Sequence, residues 1–255
     1  MNKRLMFSAA LVMALLSANA QKRAFTIEDL YRVKGLSSVS LSPDGKTVCY
    51  TASSSDLKSQ KSGSDIYIMN ADGSYTKALT EDGKSSSAVW SKDGKSIFFT
   101  NNEKGTAQIF RMDLTTCETE QVTDYELGIG SPVISPDERY IAFTAEVYPD
   151  LGADAKANKA RMEKKEQGPV QAHIADKLLY RHWTSYNDGR CNHLILFDTQ
   201  TKTYKDLTPG NYSLIFVVGG GITYQFSPDS KEICFVSNHD EHQELAPMPT
   251  CGRYL

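Results

Sequence analysis

The sequence predicts an all-β chain, a partial β-propeller of about three and a half four-stranded blades with one helical insertion. Two internal repeats and one shift in composition carry that expectation. The first repeat is a turn followed by a strand, written four times: SPDGKTVCYTAS from Ser42, SKDGKSIFFTNN from Ser91, SPDERYIAFTAE from Ser135 and SPDSKEICFVSN from Ser227. Its copies start 49, 44 and 92 residues apart, the last interval close to twice the others. A period in the forties built from short strands is that of a propeller. The second repeat reads DIYIMNADGSYTKALT (65–80), QIFRMDLTTCETEQVT (108–123) and HLILFDTQTKTYKDLT (193–208). Each copy is a strand, a polar turn and an outer strand closing on Leu-Thr or Val-Thr. The composition shift is ADAKANKARMEKKEQ (153–167), a run of strong helix formers halted at Gly168-Pro169 inside an otherwise strand-rich chain.

Taken in chain order, residues 1–20 read as an export signal. Lys3 and Arg4 precede a twelve-residue apolar run, Leu5 to Leu16, and Ala18-Asn19-Ala20 is a small-residue cleavage site. The run is shorter than the ~20 residues of a membrane span, so a mature chain from Gln21 with no membrane contact is expected. Residues 21–35 form a lead-in with a short helix, which Thr26 can cap and in which Glu28 and Asp29 suit the N-terminal dipole. The partial propeller is expected over 36–244. Its blades are placed at 36–80, 85–123 and 128–208, with a fourth beginning near 221 and an excursion over about 146–176 in the third.

Each copy of the first repeat begins with Ser-Pro-Asp-Gly or a variant, where Pro presets φ, Asp bonds local backbone and Gly supplies the left-handed residue. The strands that follow (Val48-Cys49-Tyr50, Ile97-Phe98-Phe99, Ile141-Ala142-Phe143, Ile233-Cys234-Phe235) are expected to pack on both faces. Cys49 and Cys234 therefore stand at packing positions beside Phe98 and Ala142 and are expected buried as thiols, not disulfides.

Net charge is −3 over 255 residues, with no long basic run. That gives no electrostatic footprint for nucleic acid, which is not expected as a partner. No cofactor or metal is expected. His239-Asp240-Glu241-His242 matches no zinc-protease spacing and reads as a polar loop after a strand. Arg181-His182-Trp183 is the candidate substrate-contact cluster, offering a cation, a titratable ring and a stacking face. The same residues also fit a strand whose Trp packs between blades while Arg181 pairs with a carboxylate of the charged helix.

The opening FTIEDLYRVKGLSSVSLSPDGK, the long third blade with LLYRHWTSYNDGRCNHLILFD, and YQFSPDSKEICFVSNHDE resemble the prolyl oligopeptidase family of serine peptidases. The likeness is to its secreted dipeptidyl-peptidase and acylaminoacyl-peptidase members, over about Phe25 to Glu244. The resemblance implies a propeller that restricts access of short peptides to a C-terminal α/β-hydrolase domain with a Ser-Asp-His triad. No G-x-S-x-G elbow occurs in the 255 residues. No catalytic residue is therefore assigned, and the triad is expected beyond residue 255. Residues 245–255 break the repeat: APMPTCGRYL stands where a strand is due. In a shifted frame, codons compatible with Pro247 to Gly252 spell Asn-Ala-Asp-Leu-Trp, a string the family shows at that strand, so a frameshift or a truncated reading frame is expected. The rival expectation is a TolB-like periplasmic propeller acting as a protein-binding module. Either way, an unclosed ring exposes strand edges, and self-association of copies is the oligomeric expectation.

Overall fold

The computed structural model describes residues 23–170, 172–174, 181–182, 184–214, 223–237 and 250–254. The leader, Trp183, Gly219 to Gly221 and the His239 to His242 stretch lie outside them. Blade one is the meander β1 (Gly35–Leu41), β2 (Thr47–Asp56), β3 (Lys61–Asn70) and β4 (Thr76–Ala78). Blade two repeats it with β5 (Ser85–Trp90), β6 (Ser96–Asn101), β7 (Gln108–Asp113) and β8 (Thr119–Gln121). Blade three pairs β9 (Gly130–Ile134), β10 (Tyr140–Val147), β13 (Cys191–Asp198) and β14 (Thr203–Asp206). Its excursion carries a helix and the hairpin β11 (Arg181–His182)/β12 (Ser185–Tyr186). Blade four shows β15 (Tyr224–Phe226), β16 (Ile233–Ser237) and β17 (Thr250–Tyr254). All pairings within these sheets are antiparallel. First strands of adjacent blades, β1 with β5 and β9 with β15, touch one another, which puts them innermost.

The Ser-Pro-Asp turns work as one hydrogen-bonded device. In each, the Ser hydroxyl donates to the Asp carboxylate two residues on, at 2.6–2.7 Å, and accepts the N–H five residues on, at 2.8–2.9 Å. The left-handed fourth position is Gly45 and Gly94 in the first two turns but Glu138 (φ 61°) and Ser230 (φ 62°) in the others. There the side chain compensates for the backbone strain. The Glu138 carboxylate accepts Lys92 N–H of the preceding blade's turn at 2.5 Å, and the Ser230 hydroxyl accepts Asp137 N–H at 3.0 Å.

The closing Thr of the second repeat is a latch. Thr80, Thr123 and Thr208 each accept an N–H of the third strand, from Ile66, Ile109 and Leu194, at 2.9–3.0 Å. The residue just before that N–H then ties down the crossing to the next blade, by a different chemistry each time. The Asp65 carboxylate accepts Gly83 N–H at 3.0 Å. Gln108 holds both Tyr125 N–H (3.0 Å) and Tyr125 C=O (2.7 Å). His193, fully buried, sets Nδ1 against Asp206 Oδ2 at 2.7 Å and Nε2 against Gly210 O at 2.9 Å. Both of its partners are acceptors, so the ring is held as imidazolium.

The core lies between blades. Alternate residues of the second strand point to opposite neighbours. Ile97 and Phe99 join Cys49 and Ile66 of blade one, whereas Phe98 joins Ile141 and Phe143 of blade three. Ala142 and Leu194 in turn meet Tyr224, Ile233 and Phe235 of blade four. Two expectations are corrected here. Cys49 is buried, with burial pushing its thiol up to about 11, but Cys234 is exposed, because its side of β16 faces away from blade three. No disulfide joins Cys49, Cys117, Cys191 or Cys234. The tail at 245–255 also departs from the expected break, since Thr250–Tyr254 pairs with β16 in the third-strand position. That segment contains neither proline, so its amides are free to enter the ladder.

Two outcomes follow from the latches. Thr123→Val removes the acceptor of a buried N–H and should cost about 1–3 kcal/mol, read as a lower urea midpoint at unchanged slope. An unchanged midpoint contradicts the latch. For His193, burial opposes the charge, but Asp206, Cys191 and the Gly210 carbonyl outweigh it and raise the pKa to about 9. A raised folded pKa stabilises fully below the unfolded value of about 6.5, and that stability is lost as pH rises through about 9. Denaturation midpoints should therefore fall across that window, and His193→Gln, less stable overall, should show no such fall.

Candidate functional site

Away from the Ser-Pro-Asp turns, at the other end of the blades, a cleft of about 420 Å³ opens between blades two and three. Its walls are the loop ending at Gly105–Ala107, the crossing at Leu127–Gly130, and the ends of β10 and β13. The excursion of blade three lines one side. It leaves after Val147 and re-enters at Cys191, which are register partners, so it occupies 148–190 and runs beyond the expected 146–176. Its helix α2 (Ala155–Glu166) lies within the expected 153–167, capped by Asp154, whose carboxylate accepts Ala157 N–H at 3.0 Å. The counterpart in the lead-in is α1 (Ile27–Arg32), where the Asp29 carboxylate accepts Thr26 N–H at 3.0 Å.

Although α2 carries many charges, it is fixed to the blade. Asn158, fully buried, accepts Tyr148 N–H at 2.7 Å and donates to the carbonyls of Gly152 (3.0 Å) and Asp154 (2.8 Å). Arg161 forms a two-pronged pair with Asp150 at 2.6–2.7 Å and lies over the Tyr148 ring. Lys159 reaches Glu126 at 3.6 Å. Met162 thereby becomes part of the cleft wall.

Arg190 is the charged centre of the cleft. Its Nε donates to both oxygens of Asp188, at 3.0 and 2.9 Å, and its guanidinium reaches Glu146 at 3.1 Å and Met162 Sδ at 3.8 Å. Burial works against the guanidinium charge, and the hydrogen bond to Asp188 with both carboxylates more than restores it. Two carboxylates around one cation leave the mouth net negative, and Glu146 is mostly exposed. Asn192, the register partner of Glu146, has a buried Oδ1 with no hydrogen-bond partner among the described residues. Gly130 permits the close approach of β9 to β10, because a Cβ there would lie 2.7 Å from Thr144 Oγ1. The cleft thus offers an exposed carboxylate, a cation-backed wall and, behind them, a buried amide oxygen without a described partner.

The sequence candidates fall nearby in the chain but are not all brought together. Arg181 is exposed on the excursion hairpin, opposite Tyr186, which stacks on His173 at 4.0 Å. It makes no ion pair among the described residues, so the expected pairing with a helix carboxylate is not observed. The backbone of His182 is placed opposite Ser185, and Trp183 lies outside the described residues. Sequence reasoning missed Glu146, Arg190 and Asn192. The only available signal was the Asn187-Asp188-Gly189 turn just before Arg190. Among the described residues no cluster of three potential metal ligands exists, and no helix is long and apolar enough to cross a membrane. Replacing Asn158 with Ala should strip Tyr148 N–H of its acceptor, cost about 1–3 kcal/mol, and accelerate hydrogen exchange of α2 amides. Unchanged exchange would show that other contacts hold the helix.

Comparison with known proteins agrees with this architecture. Residues 20–167 match the TolB beta propeller domain. Dipeptidyl-peptidase 5 of Porphyromonas gingivalis is 29% identical over 207 residues, which are 79% of this chain and 29% of that protein. The uncharacterized peptidase YuxL of Bacillus subtilis is 25% identical over 228 residues, 88% of this chain and 33% of its own length. The chain thus spans about a third or less of these relatives. Among solved structures, Pyrococcus horikoshii acylaminoacyl peptidase superposes with a TM-score of 0.58 at 18% identity, covering 86% of this chain and 30% of that one, a likeness of fold. The propeller is therefore related to those of peptidases, and the chain belongs to the TolB beta propeller domain family.

Proposed function

We propose that this chain is the propeller portion of an exported serine exopeptidase, gating short peptides toward a hydrolase domain that lies in the part of its relatives it does not span. The observation that carries this reading is the cleft at the excursion end of blades two and three, in a propeller whose curated relatives are named as peptidases. A short peptide presents an ammonium group, backbone donors and backbone acceptors. Glu146 answers the first and Arg190 the third. In the whole enzyme a Ser would attack the peptide carbonyl, a His would carry the proton and an Asp would orient the His. None of the three is assigned to this chain, which supplies access and positioning. The leader and the Ala18-Asn19-Ala20 site support export.

Two measurements test the proposal. The purified chain should release no product from dipeptidyl or N-acyl-aminoacyl chromogenic amides, yet bind tetra- to decapeptides in titration calorimetry. Glu146→Gln combined with Arg190→Ala should weaken that binding at least tenfold. Nucleotide sequence downstream of codon 255 should encode a G-x-S-x-G elbow. Absence of both the elbow and peptide binding overturns the proposal in favour of a TolB-like protein-binding module.

A further inference from the structure

The blade repeat builds one aromatic socket twice, and only one of the two is filled from within. Between blades two and three, the residue two places past the latch threonine is Tyr125, which is fully buried. Its ring stands edge-on to Phe143, with centroids 5.2 Å apart, and is tilted against Tyr204 at 4.8 Å. Phe197, stacked on Tyr204 at 4.7 Å, and Ile195 complete the socket. By the repeat, Asp82 takes the place of Tyr125 between blades one and two. Phe99, Phe110, Met112 and Thr119 there stand for Phe143, Ile195, Phe197 and Tyr204. A carboxylate is too short and too polar to fill such a slot, and a cavity of about 260 Å³ remains. Its floor is Phe99 and Phe110, stacked at 5.9 Å, with buried Met112 beside them.

The rim of this socket is polar where its counterpart is apolar. Asn101 and Glu103 hold the places of Ala145 and Val147. The Asp82 carboxylate is engaged locally, accepting Lys84 N–H at 2.8 Å, the Ser85 hydroxyl at 3.1 Å and Asn101 Nδ2 at 2.5 Å. Glu81 and Glu103 are exposed, and their carboxylates make no hydrogen bond or ion pair among the described residues. Lys104, the cation among the lining residues, sends its ammonium to Gln121 Oε1 at 2.7 Å. Three carboxylates and one lysine therefore surround an aromatic floor.

We propose that the socket between blades one and two takes an arginine side chain of a bound polypeptide, with the guanidinium over the phenylalanine floor and facing Glu81 and Glu103. The cavity is smaller than the roughly 300–1,000 Å³ of small-molecule sites, which suits a single side chain. A neutral ring would cover the floor and leave the carboxylates unanswered. A lysine would answer the charge with a compact, strongly hydrated ammonium. A guanidinium does both, because it is planar, weakly hydrated, stacks on aromatic faces and pairs with carboxylates in a two-pronged way. Its methylene stem supplies the apolar contact that Met112 requires. The inference is independent of the peptidase reading, since it uses neither the cleft at Glu146 nor the relatives.

The test is a magnetic-resonance titration of the full chain, labelled at its methionine methyl groups, with acetyl-Gly-Arg-Gly-amide and with its lysine and citrulline counterparts. Blocked ends offer no terminal charge, and Met112 in the socket and Met162 in the wall of the other cleft report separately. The arginine peptide should shift the Met112 methyl saturably and leave Met162 unmoved. The lysine peptide should bind several-fold more weakly and the citrulline peptide at least tenfold more weakly. Glu81→Gln with Glu103→Gln, both at exposed positions, should weaken arginine binding at least tenfold with an unchanged melting profile. Asp82→Tyr, which copies Tyr125, should fill the socket and abolish the Met112 response. Because Asp82 also holds Ser85 and Asn101, the glutamine pair decides the matter where that variant does not fold. An unmoved Met112, equal binding of the arginine and citrulline peptides, or a glutamine variant that binds as well as the original overturns the proposal.

Discussion

A four-stranded blade whose second and third strands are apolar on both sides gains stability when each face is covered by a neighbour. Everything else in this structure answers that constraint. Side chains alternate along each strand, so one half of a blade's apolar set is committed to the blade before it and the other half to the blade after it. The core is consequently a series of interleaved layers, the largest of them around Phe98, Tyr125, Phe143 and Phe197 between blades two and three. Each layer is completed only when the next blade arrives.

Polar groups hold the layers in register. The hydroxyls of Ser42, Ser91, Ser135 and Ser227 lock the tight turns, and the closing threonines lock the outer strands. Between blades the contacts use whatever group the sequence offers at a given place. Glu138 and Ser230 reach the preceding turn, Trp90 Nε1 donates to Ser40 O at 3.0 Å, and Thr51 Oγ1 accepts Ser87 N–H at 3.1 Å. First strands bulge at Ser38, Ser87 and Ser131, each at positive φ, and the Tyr224 hydroxyl donates to the Ser131 carbonyl. A buried backbone group must be satisfied, but several side chains can do it. This explains why the third-strand position just before the latched N–H is Asp65, Gln108 and His193 in successive blades.

The cleft owes its character to the same framework. β10 and β13 bring Glu146 opposite Asn192, and the excursion that splits them returns Arg190 to the same end. Asn158 and Arg161 anchor α2, which brings Met162 into the wall of the groove.

Local and periodic features were legible in the sequence. The four turns, the strand pairs behind them and the α2 run could be read because each depends on a few adjacent residues: Pro and Asp at turn positions, apolar alternation, a stretch of helix formers. The burial of Cys49 was legible for the same reason, as its place in the repeat was known. The exposure of Cys234 was not, because it depends on what lies beyond blade four. Nor were the bonds that relieve Glu138 and Ser230, or the meeting of Glu146 with Arg190 and Asn192, since residues more than forty positions apart come together there, across blade junctions in the first case and through strand pairing in the second. The sequence by itself determined the repeated unit, its turns and the helix. Tertiary structure alone decided which faces are covered and which charges meet, because burial and electrostatic contact belong to the neighbour across the junction rather than to the strand itself.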